Sequence, residues 1–440
     1  MPEIRPFRAL RYDRASIPDL ALVVAPPYDE IDAAEHERLL ARHPANVVRL
    51  DLPRDELGDE PDDRYRRAAR TLAAWRSDGT LHKDPHPSIY VYEQTYRVPG
   101  SDIARTQRGY FARLRLEAFG PGSAVRTHER TLAAARDDRY KLLRATGVNT
   151  SPVVGLYDDP DGVGRPILDA VTARPADLGV TDEDGVVHRL WAVLADGDAV
   201  ASLAPLLAVA ACGPVTIADG HDRYETALRY RDERRMTRSC EEDPAFDYLL
   251  MLLLDAVGEP LTVLATQRVV RGMGEAGVVG LLDGLERFFD VRRGVTPGDL
   301  LDRSKAAATA HDGTGRIGLW TRAGGAFLTA RRDAFEPYLP AGSAALRALD
   351  VTLLGIALER LAGVGSDIVA TGAVAYATSA RKAIEWVDAG FEGADAAFLL
   401  EPTPVASIVT VAADGDVMPQ RSTCLYPKAL TGLVINPHEW

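Results

Sequence analysis

Apolar and polar residues change their period several times along the chain, and each change predicts an element. Ala33 to Arg42 and Asp63 to Ser77 have helical spacing, with Ala68, Leu72 and Trp75 on one face of the second. Asn46 to Leu52, Ser88 to Tyr96 and Gln107 to Glu117 read as strands. Arg130 to Thr146 returns to helical spacing through Leu132, Leu142 and Leu143. A strand at Arg189 to Leu194, a helix around Val200 to Cys212, a short strand at Val215 to Ala218 and a helix from about Arg223 to Met236 follow. After the apolar segment Phe246 to Ala256, Leu261 to Val270 reads as a strand. The remaining chain predicts helices at Ala344 to Leu361 and Ala380 to Asp388, and strands at Ala397 to Leu400 and Ala406 to Val411. Strands and helices without strict alternation predict an α+β class of mixed sheets with packed helices.

Turn-forming runs at Asp158-Asp159-Pro160-Asp161-Gly162 and Pro297-Gly298 set soft boundaries, with another break at His311-Asp312-Gly313. They delimit an N-terminal region 1–160, a central region 161–296 and a C-terminal region 297–440, which fold separately or as one unit. With 440 residues, 46% of them hydrophobic and 26% charged, the chain can bury a substantial core. The net charge of −13 argues against a nucleic-acid partner and an anionic membrane surface, yet leaves room for a local basic pocket. Cys212, Cys240 and Cys424 are far apart and form no CxxC pair, which argues against a zinc site or disulfide framework and fits a reducing cytoplasm. Met1 to Leu10 carries Glu3, Arg5 and Arg8 and no apolar core, so it does not read as a secretory signal. No apolar run approaches the ~20 residues of a membrane span. The oligomeric state is left open.

The most informative string is Ile217-Ala218-Asp219-Gly220-His221-Asp222-Arg223-Tyr224-Glu225. A short strand enters a glycine turn, and a strongly helix-forming run follows, with Glu225 and Arg229 spaced to pair. The turn therefore sits at a helix N-terminus, where free N–H groups and the dipole attract anions. Two cations there, His221 and Arg223, need a negative partner, which a bound phosphate would supply. Asp219 would then be free to bind Mg²⁺ or orient an attacking hydroxyl. The structural alternative has Asp219 capping the helix, Gly220 making the turn, and Asp222 and Glu225 satisfying the cations.

Other polar groups could join such a site. His128-Glu129 stands before a helix and could act as a general base or hold a metal; its alternative is capping. Pro26 and Pro27 fix a rigid turn that presents Tyr28, Asp29 and Glu30, and a carboxylate there could deprotonate a hydroxyl. Arg421, Ser422, Thr423 and Lys428 could close over an anion, or simply form a charged strand edge.

The Asp219–Glu225 string resembles the Asp-Gly-His-His-Arg-Tyr-Glu signature of a bacterial and archaeal family built on domain of unknown function 1015, with Asp222 in place of the second His. Arg5-Pro6-Phe7-Arg8-Ala9-Leu10-Arg11, Ala25-Pro26-Pro27-Tyr28-Asp29, Tyr90-Val91-Tyr92-Glu93-Gln94, Thr127-His128-Glu129-Arg130-Thr131, Met418-Pro419-Gln420-Arg421-Ser422-Thr423 and Tyr426-Pro427-Lys428 are similar to the family in the same order. Gln267 stands where the family commonly has His. The central string is also similar to the Gly-x-His-Arg phosphate-binding element of the ParB/sulfiredoxin superfamily, which includes kinases of free L-serine. That resemblance implies a nucleotide-dependent small-molecule kinase using ATP or ADP with Mg²⁺. Asp219, His221, Glu129, Asp29 and Glu30 would be catalytic. Gly220, His221, Arg223, Arg421 and Lys428 would bind the nucleotide, and Asp219 the metal. A nucleotide-binding regulatory protein or a phosphate-ester hydrolase is the alternative implied by the same motif.

Overall fold

Side chains alternate so strictly along the strands Ser88–Arg97, Ala104–Arg115 and Tyr248–Asp255 that each feeds two cores at once. Tyr90, Tyr92, Phe111, Leu250, Leu252 and Leu254 fill one face, and Ile89, Val91, Tyr110, Ala112, Met251 and Leu253 fill the other. These strands form the middle of a nine-stranded mixed sheet. Its order runs Val125–Arg126, Val215–Asp219, Val153–Tyr157, Tyr248–Asp255, Ala104–Arg115, Ser88–Arg97, Val187–Leu194, Leu178–Thr181, with Ile4–Arg5 added beside Ala104–Arg115. The sheet draws on both sides of the turn-forming run at 158–162.

A six-stranded antiparallel sheet follows, in the order Phe289–Val295, Gly324–Ala330, Arg316–Thr321, Ala394–Leu399, Gln267–Arg271, Val374–Ala377. Between the sheets, Thr262–Leu264 pairs with Cys424–Tyr426, bringing the C-terminal part of the chain back beside the strand Val215–Asp219. One hydrophobic cluster runs from the large sheet into the six-stranded one, through Leu252, Val270, Leu319 and Phe398. The architecture, a computed structural model, is α+β as expected, and describes residues 1–129, 131, 133–195, 197–237, 242–309, 316–363 and 372–440. Arg130, Leu132, Cys240 and the 311–313 break lie outside the described residues. Among the described residues no helix is long and apolar enough to cross a membrane.

Four expected elements differ. Asn46 to Leu52 is no strand: the Asn46 carboxamide accepts from Val48 N–H at 3.0 Å and donates to Leu22 O at 2.9 Å, and a helical turn Val48–Asp51 results. This is the local side-chain bonding by which asparagine starts helices. Ala406 to Val411 is helical, within Val405–Ala413, because Pro404 fixes the turn before it and Ile408, Val411 and Ala412 bury one face. Leu261 to Val270 divides into Thr262–Leu264 and Gln267–Arg271, in different sheets. The helix expected at Ala344 to Leu361 breaks at Leu349, whose ψ of 134° is extended, into Ala344–Ala348 and Asp350–Ala362.

Candidate functional site

The strand Val215–Asp219 ends at Gly220, and the helix His221–Thr237 begins at the next residue. Gly220 has φ +83°, and a Cβ there would lie 2.9 Å from Arg223 Nε. Glycine is thus required twice, for the left-handed turn and for the guanidinium that folds back over it. Arg223 donates from Nη2 to Asp219 Oδ2 at 3.3 Å and from Nη1 to the Pro152 carbonyl. Lys428 donates to Asp219 Oδ1 at 3.1 Å and stands 3.6 Å from Glu30 Oε1. The Asp219 carboxylate therefore receives one side-chain cation from the motif itself, four residues on, and one from 209 residues away. Burial alone would raise its pKa, but Lys428 and Arg223 outweigh burial and hold it well below the carboxylate range.

Asp29 and Glu30 arrive on the 3-10 turn Tyr28–Glu30, which the two prolines launch. Asp29 is exposed to water, yet so much protein surrounds its carboxyl that burial, then the Asp219 charge, raises its pKa. A solvent-reachable group in such surroundings lies in a cleft. The Tyr28 hydroxyl donates to the Asp222 carboxylate, and the Tyr28 ring packs 4.0 Å from the Arg139 guanidinium. Arg139 is buried and in turn donates to the Asp51 carbonyl and to Asp138. This chain of contacts locks the proline turn against the motif helix.

The expected cation at His221 is absent at neutral pH. His221 Nε2 lies 3.3 Å from His128 Nδ1, and the rings cross edge to face at 4.6 Å. His128 Nδ1 is 2.7 Å from the Ile217 carbonyl, which can only accept, so Nδ1 carries the proton and Nε2 accepts from the Thr423 hydroxyl at 2.9 Å. Burial, then the neighbouring His221, pushes His128 down to about 3; burial pushes His221 down to about 4 against the pull of Asp219. Arg223 alone carries positive charge at the helix start. Glu225 does not serve the motif either: it accepts from Thr131 at 2.8 Å and Arg136 at 2.6 Å, while Arg229 turns to Asp137.

The segment Met418 to Lys428 closes the cleft from another side. Met418 N–H donates to the His128 carbonyl at 2.7 Å, and Arg421 N–H donates to Glu129 Oε1 at 3.1 Å. Burial pushes the Glu129 carboxyl up to about 7. Arg421 is held at φ +56°, an uncommon conformation for a residue with a Cβ. Arg268 supports it from beneath, donating to Arg421 O at 2.9 Å, Gln420 O at 3.2 Å and Thr266 O at 2.6 Å. The Arg421 side chain is exposed, and Asp29, Glu30 and Glu129 raise its pKa against burial.

All the candidate residues thus meet: Asp29, Glu30, Glu129, Asp219, Gly220, His221, Arg223, Arg421 and Lys428. Sequence reasoning missed Arg268, the His128–Thr423 contact and the Tyr28–Asp222 bond, each joining parts of the chain far apart in sequence. Gln267 is a structural tie: its Oε1 accepts from Leu400 N–H at 2.7 Å and its Nε2 donates to Ala265 O at 3.3 Å. Among the described residues no group of three or more His, Cys, Asp or Glu is arranged to hold a metal ion.

Fold and site together define an α+β protein with a charged, water-reachable cleft at a helix N-terminus. The chain belongs to the family described as protein of unknown function, domain of unknown function 1015, whose profile matches residues 4–352. The match ends before Arg421 and Lys428, so those two join the site by geometry. No curated protein matches the chain. Among solved structures, a free serine kinase in complex with AMP is similar at 12% identity and TM-score 0.35, covering 70% of this chain and 89% of that one. A conserved hypothetical protein from Pyrococcus furiosus is similar at 12% identity and TM-score 0.34, covering 69% and 87%. SbnI with a C-terminal truncation, from Staphylococcus aureus, is similar at 8% identity and TM-score 0.35, covering 70% and 82%.

Proposed function

We propose that the protein is a nucleotide-dependent phosphotransferase acting on the hydroxyl of a small acceptor, an amino acid such as L-serine. The observation that carries this reading is the convergence of Lys428 and Arg223 on Asp219, in a cleft also faced by Asp29, Glu30, Glu129 and Arg421. Phosphoryl transfer demands little covalent chemistry from a protein and much electrostatic positioning. Arg223 offers a fork of donors at a helix N-terminus, and Lys428 a point charge. Both suit the phosphates of ATP or ADP.

The carboxylates Asp29, Glu30, Asp219 and Asp222, with Glu129 titrating near neutrality, against Arg223, Arg421 and Lys428 leave no surplus positive charge for a bare polyphosphate. A nucleotide bound as its Mg²⁺ complex fits this balance, since Mg²⁺ takes only one or two protein carboxylates and otherwise water and phosphate. Asp219 and Asp29 could supply them, and the ion would neutralise charge on the transferring group. Glu129, with its pKa near neutrality, suits removal of a proton from the acceptor hydroxyl; Glu30 and Asp29 lie in the same cleft. Neutral His221 and His128 would fix the shape of the turn and add no charge.

Phosphorus NMR of the protein with Mg²⁺, ATP or ADP and pooled amino acids tests this reading. A new phosphomonoester signal, abolished in His221→Ala and Asp219→Asn, is expected. Free inorganic phosphate alone would instead make the protein a hydrolase. Saturable nucleotide binding without turnover would make it a nucleotide-responsive regulatory protein.

A further inference from the structure

The string Tyr90-Val91-Tyr92-Glu93-Gln94 lies on the strand Ser88–Arg97, in the middle of the nine-stranded sheet. Its alternate residues Tyr90, Tyr92 and Gln94 share one face of that sheet. Two of them reach the C-terminal segment. Gln94 Nε2 donates to the Lys428 carbonyl at 3.0 Å, and the Tyr92 hydroxyl accepts from Leu430 N–H at 3.5 Å. We propose that the buried amides of Gln94 and Gln107 are positioning groups for Lys428, which fix the lysine over Asp219.

Gln94 and Gln107 face each other across neighbouring strands, and each is 1% exposed. They lie among Val154, Leu252, Leu254 and Leu425, where an unmatched amide would be costly. The match runs in one direction only. The Lys428 carbonyl can only accept, so the nitrogen of Gln94 must face it. Gln94 Oε1 then accepts from Gln107 Nε2 at 2.9 Å, and Gln107 Oε1 accepts from the Tyr96 hydroxyl at 3.4 Å. Tyr96 also meets the Thr262 hydroxyl at 2.8 Å, and Thr262 pairs with Tyr426 in the strand that leads into Lys428. These contacts close a ring around the backbone of the lysine.

Lys428 needs that support. It lies in neither helix nor strand, so no ladder sets its place, and its long side chain has many rotamers. Its ammonium group nevertheless meets Asp219 Oδ1 at 3.1 Å and Glu30 Oε1 at 3.6 Å. A fixed backbone delivers the ammonium to one spot between these carboxylates. Burial opposes the charge, but Asp219 keeps the pKa of Lys428 above the ordinary lysine value. The amine is therefore protonated, paired and slow to react with an acylating reagent.

Two measurements test the proposal, and only the second rests on the phosphotransferase reading. In the first, the full chain is treated with an acetylating succinimidyl ester, and each lysine is followed by peptide mass spectrometry. Lys428 should label about tenfold faster in Gln94→Met, the equivalent of one lost buried hydrogen bond, while Lys141 on the surface keeps its rate. An unchanged Lys428 rate overturns the proposal. A rise at every lysine would mean a loosened fold. It overturns the proposal if Gln107→Glu, which keeps the shape but turns the Gln94 oxygen toward the Lys428 carbonyl, leaves Lys428 slow. In the second, calorimetry measures binding of ADP with Mg²⁺. Gln94→Met should weaken it about tenfold and Lys428→Met further, and the double variant should bind within about twofold of Lys428→Met, because the glutamine acts through the lysine. Losses that simply add would make Gln94 a structural residue alone. If the parent protein binds no ADP while Lys428 labelling still depends on Gln94, the phosphotransferase reading falls and the positioning stands.

Discussion

Two arginines, Arg113 and Arg223, are both withdrawn from water, and the company each keeps separates anchor from site. Arg113 is 1% exposed and donates only to neutral acceptors: Asn436 Oδ1, the Pro437 carbonyl and the Glu439 carbonyl. It packs against the rings of Phe7 and Trp440. Without a carboxylate bonded to it, burial pushes its pKa down to about 10. Arg223, with a side chain 10% exposed, sits among Asp219, Asp29 and Asp222, and they hold its pKa above the ordinary value against burial. An arginine meeting neutral carbonyls ties chain to chain. An arginine among carboxylates, in a cleft that water enters, holds charge that a ligand can rearrange.

The comparison breaks most sharply at Asp219. Asp219→Asn should lower phosphomonoester formation by about 10²–10³-fold, the usual cost of removing one electrostatic group from a preorganised site, and should lower the melting temperature too, because Lys428 and Arg223 lose their shared counter-charge. A normal initial rate would remove Asp219 from the site. Arg113→Met should touch stability alone. It strands three acceptors and should cost about 3 kcal/mol in urea unfolding, while the folded protein binds nucleotide as before. Gly220→Ala lies between: the left-handed turn costs about 1–2 kcal/mol, and the new methyl group displaces Arg223, so affinity for nucleotide and stability should fall together.

Glu129 gives a pH signature. Its carboxyl is raised from 4.5 to about 7, so the stability it contributes is fully present below pH 4.5 and is lost as pH rises toward 7. Glu129→Gln should flatten stability across that window. The same substitution should abolish the rise of kcat/KM through about pH 7 expected of a carboxylate base; an unchanged profile would assign the base to Glu30 or Asp29. The smallest effect is expected at Gln267→His. It breaks the bond to Leu400 N–H at a cost of about 1 kcal/mol, and calorimetric nucleotide affinity should stay within a factor of about two.

Much of the site was legible because its pieces are local. Asp219-Gly220 at a strand-to-helix turn, and two prolines before Asp29, impose their backbones from adjacent residues alone. The α+β class was legible from the period changes for the same reason. The protonation of His221 was not, because it depends on burial, and then on Arg223 and Lys428, under segments that only the tertiary fold brings together. The Glu225–Arg229 pair failed because tertiary partners, Arg136 and Asp137, outbid a spacing worth only a few tenths of a kcal/mol. The misread segment Ala406 to Val411 shows the same limit. Its β-branched residues suit a strand, but the Pro404 turn and one buried face favour a helix.

The Asp219–Lys428 contact joins residues 209 apart, and Glu30 lies earlier still. A chain emerging from the ribosome at about 5–20 residues per second exposes Asp29 and Glu30 tens of seconds before Lys428 is made. During that interval Asp219 and Glu30 are nascent carboxylates without their lysine. The cleft therefore lacks Lys428 while the chain is being synthesised, and gains it only when the segment around residue 428 docks.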